Sequence, residues 1–208
     1  MTNMVTRSSS SLPRSRGRPR EFDADKALDQ AVRVFSERGY VGASITDLTR
    51  AMRLAQGSIY KAFKDKQSLF LAAFDRYRAQ RTQKLRRAID DGHTGLERLH
   101  AALAFYAESA HGATGRQGCL VVASAVELST FDKPVADHVA DALACNEAML
   151  ADLIRQGQAD GSILAHVDAE ATALMMLCLT QGMRVVGKTG RSREQMQAVV
   201  ENALKTLA

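Results

Sequence analysis

Apolar residues recur with a helical period along nearly the whole of the 208-residue chain. Leu28, Ala31, Val32 and Phe35 fall at i, i+3, i+4 and i+7 and predict a first helix over about 23–38, with Asp23 as its cap and Gly39 as its stop. Ser44 opens a second helix with Ile45, Leu48 and Met52 inward, and a third covers about 56–63 with Ile59 and Phe63 inward. A fourth starts at Asp65, carries Leu69, Phe70, Ala73, Phe74 and Tyr77 on one side, and runs to about Ile89. Leu96, Leu99, Leu103 and Tyr106 mark a helix over 95–111, the Gly-rich stretch 111–118 reads as a loop, and 119–128 reads as a short apolar helix. Pro134 suits the first turn of a long helix to about 159, with Val139, Leu143, Met149, Leu150, Leu153 and Ile154 buried. Asp168 caps a helix to about 186, and Ser192 opens the last one, with Met196, Val199, Val200 and Leu204 inward. The fold class this predicts is all-α: an N-terminal three-helix helix-turn-helix domain followed by a helical bundle.

Composition agrees, with 5% aromatic residues, no Trp and only three Pro. Charge adds an asymmetry. Residues 1–87 hold 19 Lys and Arg against 8 Asp and Glu, or +11, whereas residues 88–208 hold 9 against 15, or −6. A basic front on an acidic rear suggests that the front alone meets a polyanion, although a solvated basic face with no partner has the same composition. The cysteines, Cys119, Cys145 and Cys178, are odd in number and far apart, which argues against a disulfide framework or zinc site and for a reducing compartment. The polar, basic start is no secretory signal, and the apolar stretch 173–186 is interrupted by Gln181 and Arg184 and too short for a membrane span. A cytoplasmic protein is expected. The five scattered histidines have no metal-ligand spacing, and no phosphate-binding loop, nucleophile elbow or carboxylate pair appears, so neither an enzyme, a metal nor a cofactor is expected.

Helices two and three, joined by a tight turn, would place a narrow recognition helix where it enters a major groove. Gln56 and Ser58 are suited to base edges, Tyr60, Lys61 and Lys66 to phosphates. The run Ala43, Ser44, Ile45, Thr46, Asp47, Leu48, then Gly57, Ser58, Ile59, Tyr60, then Phe63, Asp65, Lys66, Leu69 and Phe70 resembles the TetR/AcrR family of bacterial repressors. That family's core is Gly, Ser or Thr, an aliphatic residue and Tyr, followed after two positions by Phe, with Lys opening the next helix. The likeness spans residues 22–75. It departs at Arg53, where the turn usually has Gly, and at Ala55, where the recognition helix usually has a Ser- or Thr-like cap. Strain and a missing cap would each cost roughly 1 kcal/mol. The resemblance implies DNA contacts from Ser44, Thr46, Arg53, Gln56, Gly57, Ser58, Tyr60, Lys61 and Lys66.

Residues 1–20 read as a disordered basic arm. Within it Arg16, Gly17, Arg18 and Pro19 form the core of an AT-hook-like motif, in which Arg16 and Arg18 would lie in a narrow minor groove. A solvating tail, or a non-specific architectural binder built on that arm, are the competing readings. The expected domains are therefore the arm 1–20, a helix-turn-helix domain 21–66, a connecting helix 67–89, and 90–208.

By the same resemblance the rear domain binds an effector and forms a homodimer through the last two helices, on a double-stranded palindromic operator. Glu127, Asn146 and Gln181 are polar positions in apolar helices suited to orienting a small effector, with Phe105, Met149 and Met176 as apolar lining. Solvent-facing amides and core-filling Met residues are the plainer alternative. Cys119 begins a predicted helix, where the dipole favours thiolate. It reads either as a thiol that senses reactive compounds, as in some of the family's stress-response repressors, or as a buried small hydrophobe. Cys145 and Cys178 read as packing residues.

Overall fold

The computed structural model describes residues 24–127, 131 and 133–207. The arm with Arg16 and Arg18, the cap Asp23 and the predicted helix end Leu128 lie outside the described residues. Among those described there are ten α-helices and no strand: α1 (Ala24–Gly42), α2 (Ile45–Met52), α3 (Gln56–Ala62), α4 (Lys66–Asp90), α5 (Gly95–Glu108), α6 (Gly112–Gln117), α7 (Leu120–Val126), α8 (Lys133–Asp160), α9 (Ala169–Val186) and α10 (Arg193–Leu204). Single 3₁₀ turns follow α9 and α10.

Most helix starts follow from local chemistry. Ser44, Thr94 and Ser192 each close a capping box with the residue three positions on, Asp47, Glu97 and Gln195. Asp65 and Asp168 accept from the backbone N–H of Ser68 and Ala171 at 2.7 and 3.0 Å. Gly39 takes φ 72° and breaks the helical path of α1 at the predicted stop, though a further turn continues to Gly42.

The stretch 111–118 corrects the sequence reading, because six of its residues form α6. Packing makes this helix. Gly115 and Gly187 let it lie against the turn after α9, where a Cβ on Gly187 would stand 2.0 Å from the carbonyl oxygen of Ala110. No local pattern announces such a contact.

Two apolar clusters hold the chain. One joins Leu99, Leu103, Leu150, Ile154, Met176 and Val200 from α5, α8, α9 and α10. The other begins as the core of the three-helix unit, with Phe35, Leu48, Ile59, Phe70 and Phe74, and continues without interruption into Cys119, Leu120 and Val121 of the α7 region and Val135 and Val139 of α8. The N-terminal unit is thus packed directly on rear-domain helices, and α4 spans both clusters with Leu69 at one end and Leu85 at the other.

Candidate nucleic-acid interface and effector cleft

The α2–α3 turn is a Schellman motif. The N–H of Leu54 bonds the carbonyl of Thr49 at 3.1 Å and that of Arg53 bonds Arg50 at 3.4 Å. Arg53 occupies its left-handed position, at φ 54° and ψ 40°, and no other non-Gly residue among those described has positive φ. The next helix, α3, starts at Ala55 without a side-chain cap. Both departures seen in the sequence are therefore present in the fold.

Ile59, 1% exposed, fixes α3 to the core, and Phe63 is half-buried. The opposite side presents Gln56, Gly57, Ser58, Tyr60 and Lys61 to solvent, with Ser44, Thr46 and Arg53 exposed on the same unit. Ser58, Lys61 and Arg53 share one open groove with Lys26, Arg33, Arg38 and Arg50. Arg38 is paired there with Asp47 at 2.9 Å. The sequence reading missed Arg33, Arg38 and Arg50. Their basic charge was visible, but the side of α1 and α2 that faces the groove was not.

Gly57 is the most telling position. An added Cβ there would meet nothing within 4 Å, so neither packing nor a turn requires glycine. Gly57 is the second residue of α3, and in its first turn Gly costs up to about 1 kcal/mol relative to Ala. A bare backbone on the exposed face of a short helix is what close approach by an external partner demands.

Lys66 is placed differently from the sequence reading. It lies half-buried with Nζ 4.5 Å from the centre of the Tyr40 ring. Burial lowers its pKa, with the nearby Glu127 carboxylate acting in the opposite direction. It belongs to the joint between the two parts of the chain.

Glu127 belongs there too, which corrects its assignment to an effector pocket. Its Oε2 accepts from the backbone N–H of Tyr40 at 2.6 Å and of Val41 at 3.4 Å. A Cβ on Gly39 would stand 2.3 Å from its Oε1. The end of α7 is thereby tied to the last turn of α1. Rings of Tyr40, Phe70 and Phe131 pack around the same joint, with centroids 5.0–5.3 Å apart.

Four of the proposed effector residues do meet. Phe105, Cys119, Asn146 and Gln181 line one narrow cleft, together with Tyr77, Arg81, Leu85 and Tyr106. Met149 and Met176 do not line it. Both pack in the rear cluster, Met176 with no exposure at all, because the stripe that buries them faces neighbouring helices. Cys145 and Cys178 are exposed, against the packing role expected of them.

Cys119 is 6% exposed and its Sγ accepts from the Tyr77 hydroxyl at 3.2 Å. Burial pushes this thiol up, but Arg184, Arg81 and the Tyr77 hydrogen bond outweigh it, so the net shift is downward. Burial pushes the Tyr77 hydroxyl the other way, well above the ordinary tyrosine range. Arg81 lies over three rings, its guanidinium carbon 4.7 Å from the centre of Phe105, 5.5 Å from Tyr106 and 5.7 Å from Tyr77.

Among the described residues no helix is long and apolar enough to cross a membrane, and no cluster of three His, Cys, Asp or Glu residues is arranged to hold a metal.

Comparison with known proteins agrees with this architecture. Residues 27–73 match the model of bacterial regulatory proteins of the tetR family, and residues 95–203 match that of the tetracyclin repressor-like C-terminal domain. The chain is 31% identical over 206 residues to the HTH-type transcriptional repressor ComR of Escherichia coli K12, covering 97% of both. Among solved structures it is similar to a cysteine mutant of the TetR-family regulator CifR complexed with 26-bp operator DNA. There the identity is 34%, the TM-score 0.77, and 92% of this chain and 100% of the other are covered. It shares its fold, at TM-score 0.81 and 21% identity, with a regulatory protein TetR from Rhodobacter sphaeroides, covering 90% of this chain and all of the other. The chain belongs to the TetR family of DNA-binding transcriptional regulators.

Proposed function

We propose that this protein is a cytoplasmic, dimeric repressor that grips a palindromic operator through two α3 helices and is released when a small effector, or modification of the Cys119 thiol, alters the cleft. Residues 24–66 serve as the DNA-binding unit, α4 as the connector, and the helices from α5 onward as the effector and dimerisation domain, with no catalytic step. The observation that carries this reading is α3 itself, anchored by Ile59 while Gln56, Gly57, Ser58, Tyr60 and Lys61 face outward. The relatives named as repressors, and the CifR complex with operator DNA, support it.

The last two helices support a dimer. Leu174, Met175, Val185 and Val186 are exposed on α9, Cys178 lies between them, and a Cβ on Gly182 would meet nothing within 4 Å. A twofold pair across such a face would set two α3 helices about one DNA turn apart, roughly 34–36 Å.

Selection of bound duplexes from a random pool tests the reading directly. A palindrome with half-sites one turn apart should be enriched, and its affinity should fall steeply with salt. Enrichment of no sequence would overturn it. Removing residues 1–20 should leave operator specificity intact with a shallower salt slope. Loss of nearly all binding would favour an architectural binder that relies on Arg16 and Arg18.

A further inference from the structure

One arginine lines the cleft and a second acts on its Cys119 thiol from outside the lining, and neither has an acidic partner among the described residues. Arg184, on α9, is 2% exposed. Its Nη2 donates to the carbonyl of Gly118, while Nε and Nη1 are buried with no partner. Arg81, on α4, lines the cleft. Its Nη1 donates to the Ser109 hydroxyl at 3.3 Å, and Nη2 is buried with no partner. Other arginines of this chain are treated differently. Arg76 reaches Asp25 and Asp29 at 2.9 and 2.6 Å, and Arg38 reaches Asp47 at 2.9 Å. A buried guanidinium without a counter-charge is costly.

The surroundings narrow what would pair with them. Tyr77, Leu85, Phe105, Tyr106 and Val121 supply apolar walls, and Asn146 and Gln181 supply neutral amides. Three rings surround Arg81, whose Nη2 has no partner; a guanidinium pairs bidentately with carboxylate and phosphate alike, and the apolar walls favour the less heavily hydrated carboxylate. Among the cleft residues Cys119 is a group whose deprotonated form would carry negative charge, and Arg184 and Arg81 both act to lower its pKa.

We infer that the cleft is the site of a small carboxylic acid with an apolar body, its carboxylate on Arg81 beside Cys119 and its body against Phe105, Tyr106 and Leu85. This deepens the effector reading above and rests on it only for the consequence to DNA. Arg184 acts from behind the wall, raising the positive potential that the anion meets.

The test uses the full chain, with benzoate and butyrate as probes and benzamide and butyramide as neutral counterparts. By calorimetry the acids should bind at least tenfold more tightly than the amides. Arg81→Gln should weaken acid binding at least tenfold without affecting the amides, and Arg81→Lys should recover part of it. Equal binding of acids and amides, no binding of either acid, or an Arg81→Gln variant that melts normally and keeps full acid affinity would overturn the site. Binding of inorganic phosphate in place of the acids would overturn the carboxylate assignment. Anisotropy of a labelled operator then reads the consequence. The acids should lower its affinity severalfold, and acid binding that leaves it unchanged would overturn the effector role. Failure to find any bound DNA sequence would sink the operator reading while calorimetry still decides the site.

Discussion

Replacing Arg53 with Gly sets the two roles of that residue against each other. Its backbone is left-handed at φ 54°, a conformation that costs an L-residue roughly 1–2 kcal/mol and glycine almost nothing. Glycine returns part of that gain as extra freedom of the unfolded chain, roughly 0.5–1 kcal/mol. The net gain should be about 0.5–1 kcal/mol, a rise in Tm of roughly 1–4 °C for a chain of this size. Alanine keeps its Cβ and hence the strain, so Arg53→Ala should melt no higher than the parent. DNA binding should move the other way in both variants. Arg53 is exposed in the groove that holds Arg50, Ser58 and Lys61, immediately ahead of α3. Each phosphate contact contributes about 0.9 to the salt slope, so losing one per subunit should make a dimer's slope shallower by roughly 1.8. Calorimetric melting and operator titration at several salt concentrations measure both quantities. If Gly and Ala melt alike, the turn is not strained. If the slope stays the same, Arg53 does not meet a phosphate.

Other positions give independent checks. Gly57→Ala, with open space around the new Cβ, should stabilise the fold by about 0.5–1 kcal/mol and still weaken operator binding; equal or better binding would show that nothing approaches that backbone. Glu127→Ala leaves the Tyr40 N–H without its acceptor and should cost about 1–3 kcal/mol in urea titration, and an unchanged midpoint would mean that water replaces the carboxylate. Asp47 is held below the usual carboxylate range by the hydroxyl and backbone N–H of Ser44. Its folded pKa is depressed, so its contribution is present above the unfolded value near 4 and lost as pH falls through the folded value. Asp47→Asn should therefore flatten the acid limb of the stability curve, and an unaltered limb would remove the capping box from the account. Gly182→Arg should leave the fold intact yet give a monomer by sedimentation, whereas a persistent dimer would move the interface off α9.

What was legible in the sequence was whatever is local. Caps are read from residues three apart, so Ser44, Asp65, Asp168 and Ser192 marked their helices correctly. The exposed side of α3 was legible for the same reason, since Ile59 sets its phase. The cleft was only half legible because its lining comes from α4, α5, α8, α9 and the residues opening α7, which are distant in the chain. A helical period says that a stripe is buried but not what it is buried against. That is why periodicity alone suggests Met176 for a cleft when it fills the core, and Glu127 for a ligand group when it holds Tyr40. Arg184 did carry a signal. Ala173, Met176, Leu177, Thr180 and Met183 form the buried stripe of α9, and Arg184 falls in phase with it. Read only as a break in an apolar run, it excluded a membrane span. Read by phase, it announced a buried cation in need of an anion. The same logic explains how the cleft and α3 are joined. Cys119 opens α7 in the cleft, Glu127 closes it on the backbone of Tyr40, and the seven-residue helix between them is about 10 Å long. Its side chains share one packed cluster with Phe70 and Phe74, so on the proposed effector reading a displacement at Cys119 would pass along α7 toward the unit that carries α3.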